Sequence, residues 1–115
     1  ITIPAIGGSA TASSPGTGQF GLNLVDNATP NVGAAISAAS GGATLQARPL
    51  TGFGTADQFR FDATATNTIA DSGHDGTPGP TDGQIYTVAY IANVSGSQQA
   101  GDYVATLTYI CTPTF

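Results

Sequence analysis

The stretch DQFRFDATAT alternates without a break. Phe59, Phe61, Ala63 and Ala65 fall on one side of an extended chain, and Arg60, Asp62, Thr64 and Thr66 on the other. A period of two belongs to a half-buried β-strand, and a helix of period 3.6 cannot keep such a set on one face. Composition removes the helical alternative elsewhere. The chain has no Lys, Glu, Met or Trp, so the residues that normally fill helix surfaces are missing. Its 16 Gly and 7 Pro, with many Ser and Thr, supply turns instead. The expected fold class is all-β.

Six further stretches read as strands. FGLNLV places Phe20, Leu22 and Leu24 together; ITIPAI alternates Ile1, Ile3 and Ala5 with Thr2 and Pro4. AAISAAS and ATLQARPL flank Gly41-Gly42, the pattern of a tight hairpin. QIYTVAYIANVS puts Tyr86, Val88, Tyr90, Ala92 and Val94 on one face, yet Ile85, Ala89 and Ile91 make the other apolar too. DYVATLTYICTPTF sets Tyr103, Ala105, Leu107, Tyr109 and Cys111 against Val104 and Ile110, and the connection GSQQAGD predicts a hairpin between these last two strands. Short strands with regular Gly/Pro punctuation predict an immunoglobulin-like or Greek-key β-sandwich. Strands apolar on both faces usually have both faces covered, which points to a second copy over the outer one.

At 115 residues the chain fits one domain. Two Arg against seven Asp, a formal charge of −5, exclude a basic footprint for nucleic acid or anionic lipid. No apolar run reaches the ~18–20 residues of a membrane span, so insertion of this domain into a membrane is not expected. The Ser/Thr/Gly-rich, Lys-free character, and a first residue that is Ile1, predict an extracellular or cell-surface protein after removal of a signal or leader peptide. Cys111 is alone and cannot form a disulfide within the chain; its place among apolar residues predicts a buried thiol.

Chemistry concentrates in DSGHDGTPGPTDG. Asp71, Asp75 and Asp82 fall at positions 1, 5 and 12 of an EF-hand-like spacing with Gly76 at position 6, which makes them candidate Ca²⁺ ligands. Position 3 is Gly73, position 12 lacks the bidentate Glu, and Pro78 and Pro80 stand where a helix should begin; a solvated hairpin loop is the competing reading. Asp71-Ser72-Gly73 matches the triplet of aspartic proteases, but the second apolar-Gly element before a helix is missing. His74 and Cys111 have no orienting acid nearby in sequence. An enzyme is not expected. Tyr86, Tyr90, Tyr103 and Tyr109 would suit a surface for stacking glycans, although their phase with Val88 and Leu107 predicts core positions with hydroxyls at the margin. Asn27-Ala28-Thr29 and Asn93-Val94-Ser95 fit the N-glycosylation sequon.

The opening residues complete the reading. Pro4 cannot donate to a ladder, so ITIPAI belongs at a sheet edge. Residues 7–18, GGSATASSPGTG, carry no apolar anchor and would span roughly 40 Å as a flexible tether. A detached apolar strand (with its tether, residues 1–18) followed by a sandwich domain over residues 19–115 resembles the small β-sandwich subunits of prokaryotic extracellular filaments built by donor-strand complementation, pilins and biofilm-fibre subunits among them. The resemblance implies a homopolymer in which Ile1, Ile3, Ala5 and Ile6 enter a neighbouring copy. The paired cysteines of many such subunits are missing, and the donor is short. The other reading keeps ITIPAI as the chain's own first strand. A surface adhesion or carbohydrate-binding module is the alternative function.

Overall fold

The computed structural model describes residues 2–74, 76 and 80–113. Among them there is no helix, and in particular none long and apolar enough to cross a membrane. The fold is all-β: one four-stranded sheet and three two-stranded ones, all antiparallel.

The large sheet is built from β1 (Gly7–Thr11), β2 (Gln19–Asn23), β7 (Phe59–Phe61) and β10 (Ala89–Asn93), in the order β1-β7-β2-β10. β2 and β10 pair in unbroken register from Ala89↔Asn23 to Asn93↔Gln19. β7 meets β2 at Leu22↔Arg60, and β1 meets β7 through a bulged register. The small sheets join β3 (Asn27–Ala28) to β4 (Asn31–Val32), β5 (Ser37–Ala38) to β9 (Gln84–Ile85), and β6 (Arg48–Pro49) to β8 (Ala70–Asp71).

Two apolar clusters form the core. Leu24, Ile36 and Ala47 are packed by Leu45, Ile69, Ala70 and Val88. Phe59, Ala89 and Ile91 are packed by Ile6 and Val32. Phe59 and Phe53 are wholly buried. The Arg60 guanidinium lies 5.1 Å from the centre of the Phe53 ring and donates from Nη1 to the Thr51 carbonyl at 3.0 Å, so its stem covers the ring while its charge is partly satisfied.

A buried polar pair pins the β3–β4 hairpin. Asn23 Nδ2 donates to Asn27 Oδ1 (2.7 Å) and to the Gln58 carbonyl (2.9 Å). Asn27 Nδ2 has the Asn23 Oδ1 and the Val25 and Val32 carbonyls at 2.9 Å each. Two amide hydrogens cannot fully serve three acceptors, so the group shares them. The Asp57 amide donates to Asn27 Oδ1 (2.8 Å), and Asp57 Oδ1 accepts from the amides of Ala28 and Thr29. Asp57 reaches this position at φ 62°, in a region that non-glycine residues seldom adopt.

The architecture departs from expectation at five places. The alternating stretch DQFRFDATAT is a strand only over Phe59–Phe61, and Ala63 and Ala65 are exposed. Residues 7–11 are not a free tether: they form β1. Gly41-Gly42 does make a turn, with the Ala43 amide donating to the Ser40 carbonyl, but its flanking segments pair with β9 and β8 rather than with each other. In β10 the buried set is Ala89 and Ile91, so Tyr86, Tyr90 and Val94 are on the exposed phase. Both phases were apolar, and period alone could not choose. Of residues 102–115, expected as the last strand, 102–113 join no ladder and the other two lie outside the described residues.

Candidate functional site

The N-terminal lead, residues 2–6, seats on β2 of its own chain. The Phe20 amide donates to the Pro4 carbonyl (2.8 Å) and the Ile6 amide to the Phe20 carbonyl (2.9 Å), a parallel bridge centred on Ala5. Pro4 contributes only its carbonyl, so its missing N–H costs nothing here.

Two glycines shape the seat. A Cβ on Gly18 would lie 2.8 Å from Pro4 Cδ, and one on Gly21 would lie 2.6 Å from Ile6 Cδ1 and 3.1 Å from Phe59 Cβ. Both distances are below van der Waals contact, so the absent side chains are what let the lead approach. Ile6 then reaches the cluster of Phe59, Ala89 and Ile91. Gly7, at φ +101°, turns the chain from the lead into β1, a conformation open to glycine and strained for other residues. Beyond β1 the chain is pinned by side chains. The Ser14 amide donates to Gln19 Oε1 (2.8 Å), Gln19 Nε2 to the Ala12 carbonyl, and Asn93 Nδ2 to both Ser13 Oγ and Gln19 Oε1.

Beside the lead runs a groove of about 870 Å³. The lead and residues 102–107 form its walls; Phe20, Phe61, Tyr90 and Ala92 lie between them. Phe20 meets Phe61 edge-on at 5.3 Å and stacks on Tyr90 at 6.3 Å. All four tyrosines are well exposed, which corrects their expected place in a core. Partial desolvation by neighbouring groups nonetheless raises the phenols of Tyr86 and Tyr90 above their ordinary range, Cys111 adding to the effect at Tyr86. Cys111 itself is exposed rather than buried.

Of the lead residues expected to act, Ile1 lies outside the described residues; Ile3 is half-buried on the groove wall, Ala5 bridges Phe20, and Ile6 enters the core. Asn27 is buried, with its side-chain nitrogen donating to Asn23 and to the Val25 and Val32 carbonyls. Asn93 is half-buried in β10, with its amide donated to Ser13 and Gln19.

Of the three proposed calcium ligands, Asp71 and Asp82 are among the described residues. Asp71 is taken by Arg48, whose Nε and Nη2 donate to its two oxygens at 2.8 and 3.2 Å, and Asp71 Oδ1 also accepts from the Gly73 amide. The Arg48 hydrogen bond chiefly holds this carboxyl below the usual range. Asp75 lies outside the described residues; Asp82 is exposed, its amide donating to Gln46 Oε1. No group of three or more His, Cys, Asp or Glu able to hold a metal occurs among the described residues.

Sequence reasoning missed Gly18 and Gly21 as seat-forming residues. A glycine interrupting FGLNLV was the available signal, since glycine inside a strand often marks close approach of another backbone. The chain matches no family model, no curated protein and no solved structure.

Proposed function

We propose that this protein is a non-enzymatic structural subunit of an extracellular, cell-surface filament, an immunoglobulin-like sandwich in class, which polymerises by passing residues 1–6 to a neighbouring copy. The observation that carries the proposal is the seat of the lead. It is complementary in shape at Gly18 and Gly21, is held by two backbone hydrogen bonds, and is joined to β1 through Gly7. A second copy's lead would make the same contacts as the chain's own, so exchange needs no new chemistry. Such head-to-tail exchange is heterologous and open, the symmetry that propagates fibres. The low charge of the chain, with seven Asp and two Arg in 115 residues, offers little repulsion between copies.

The test compares the full chain with one lacking residues 1–6. High-mass assemblies visible by negative-stain microscopy are expected from the first, and monomers that bind a synthetic ITIPAI peptide from the second. Equal assembly by both chains refutes the proposal. A surface adhesion or carbohydrate-binding module is the second reading, favoured by the exposure of Tyr86, Tyr90, Tyr103 and Tyr109. It predicts that Tyr90→Ala lowers retention on a glycan column while leaving the oligomeric state unchanged.

A further inference from the structure

Residues 102–113 hold an arrangement that their sequence does not favour. Val104, Thr106, Thr108, Ile110 and Thr112 alternate with Tyr103, Ala105, Leu107, Tyr109 and Cys111, the pattern of a strand, yet the segment pairs with no strand. Val104 is 90% and Ile110 84% exposed. The segment is tied back at its start, where Gln98 Nε2 donates to the Tyr103 hydroxyl (2.6 Å) and that hydroxyl donates to the Gln99 carbonyl. Further on it touches β10 through side chains: the Tyr90 and Tyr109 hydroxyls hydrogen-bond, and residues 102–107 line one groove with Tyr90 and Ala92. A connection too short for a crossover returns the chain antiparallel to β10.

β10 meanwhile ends the sheet order, its ladder made with β2 on one side. Its residues carry none of the usual guards of an edge strand: no charge, no Pro and no bulge in five consecutive pairs. Residues 103–113 are equally free of charge. An open edge and an unpaired segment are thus joined by eight residues, 94–101, containing a turn in which the Gln98 amide donates to the Ser95 carbonyl.

We infer that residues 102–113 form a reversible strand, which docks antiparallel on the outer edge of β10 in its own chain and, while docked, closes that edge to a second copy. The structure shows this segment in no ladder. Docking adds a fifth strand and satisfies the outward backbone groups of β10. Undocking opens an uncharged edge to strand addition by another copy. This device is independent of lead exchange, which uses the Phe20 backbone on β2.

Amide hydrogen exchange on the full chain tests it. In an antiparallel ladder alternate residues point to opposite neighbours, so Ala89, Ile91 and Asn93 face one side of β10 and Tyr90 and Ala92 the other. Protection of both sets, at least about tenfold over neighbouring loops, is expected. One set exchanging at loop rates overturns the inference. Oxidation of Tyr86→Cys against the native Cys111 decides which chain supplies the strand: a cross-linked monomer is expected, and a covalent dimer overturns docking within the chain. Val104→Pro and Leu107→Pro have opposite parity, so one of them removes a ladder donor in either register. That variant is expected to self-associate beyond the level of the native chain; two variants that match it overturn the guarding role.

Discussion

The fit of Ile6 over Gly21 sets how firmly the lead is held, and a double-mutant cycle measures it. Gly21→Ala places a methyl 2.6 Å from Ile6 Cδ1, 3.1 Å from Phe59 Cβ and 3.3 Å from the Arg60 amide nitrogen. Overpacking of this kind costs about 1–3 kcal/mol, offset by roughly 0.5 kcal/mol from replacing glycine inside a strand. Ile6→Ala empties the space that the new methyl would enter. Full burial makes Ile→Ala cost about 2–5 kcal/mol, and since Ile6 is half-buried a loss of about 1–2 kcal/mol is expected. In the Ile6→Ala background, Gly21→Ala keeps only its contacts with Phe59 and Arg60 and becomes cheaper by about 1 kcal/mol or more, a coupling expected only between residues in contact. Urea unfolding of the four proteins gives the cycle. Additivity to within about 0.5 kcal/mol means that Ile6 does not occupy the space over Gly21 in solution, and the account of the seat is then wrong.

Asn27→Ala strips acceptors from Asn23 Nδ2 and the Asp57 amide and a donor from two carbonyls, and is expected to cost about 3–5 kcal/mol in denaturant unfolding. Asn27→Asp faces the same carbonyls with a buried carboxylate whose pKa must rise, so its stability is present at low pH and lost as pH rises through that raised value, the reverse of a normal Asp; thermal melts across pH 4–8 check the direction. Asp71 is held below the usual carboxylate range by Arg48, so its contribution is present above the unfolded pKa of ~3.9 and lost as pH falls through the lower folded value. Asp62, lowered chiefly by the Thr64 hydroxyl, acts in the same direction. Asp71→Asn should therefore flatten the acid limb of melting temperature against pH below about 4 while leaving the neutral limb parallel to that of the native chain.

Where a strand buries one face the sequence shows it, and where burial does not discriminate the sequence is silent. β2 and β7 announce themselves through Leu22, Leu24 and Phe59, which leave water, although in β2 the intervening Gly21 and Asn23 are buried as well. β1 is written in GGSAT, an edge strand with mostly exposed side chains; nothing apolar marks it, and its existence depends on the β7 edge it meets. β10 was visible as a strand, but its inward phase was not: Ile91 pairs with Gly21 and is buried, whereas Tyr90 pairs with Leu22 and stays exposed. The pairings of β5 with β9 and β6 with β8 join segments far apart in sequence, and the Arg48–Asp71 ion pair depends on the second of them. That ion pair explains why an Asp-rich loop with metal-like spacing leaves one of its ligands committed elsewhere. Pro4 was legible as an edge residue; its partner was not, because the partner is a backbone.

The strength of the lead decides whether exchange between copies is feasible without unfolding. Two backbone hydrogen bonds at about 1 kcal/mol each, with a half-buried isoleucine, place release of residues 2–6 near 3–4 kcal/mol. Domains of this size unfold globally at about 5–15 kcal/mol. The lead therefore opens by a local route, in roughly one molecule in several hundred, while the Asn23–Asn27–Asp57 network keeps the centre intact. At that population, capture by a neighbour is governed by how often a vacant seat meets a free lead. If copies exchange leads as proposed, tightening the seat would slow exchange and weakening it would speed exchange, while the same contacts would stabilise the polymer. Assembly rate and polymer stability must then respond oppositely to a change at Ile6, a trade-off that a fixed, non-exchanging first strand would not show.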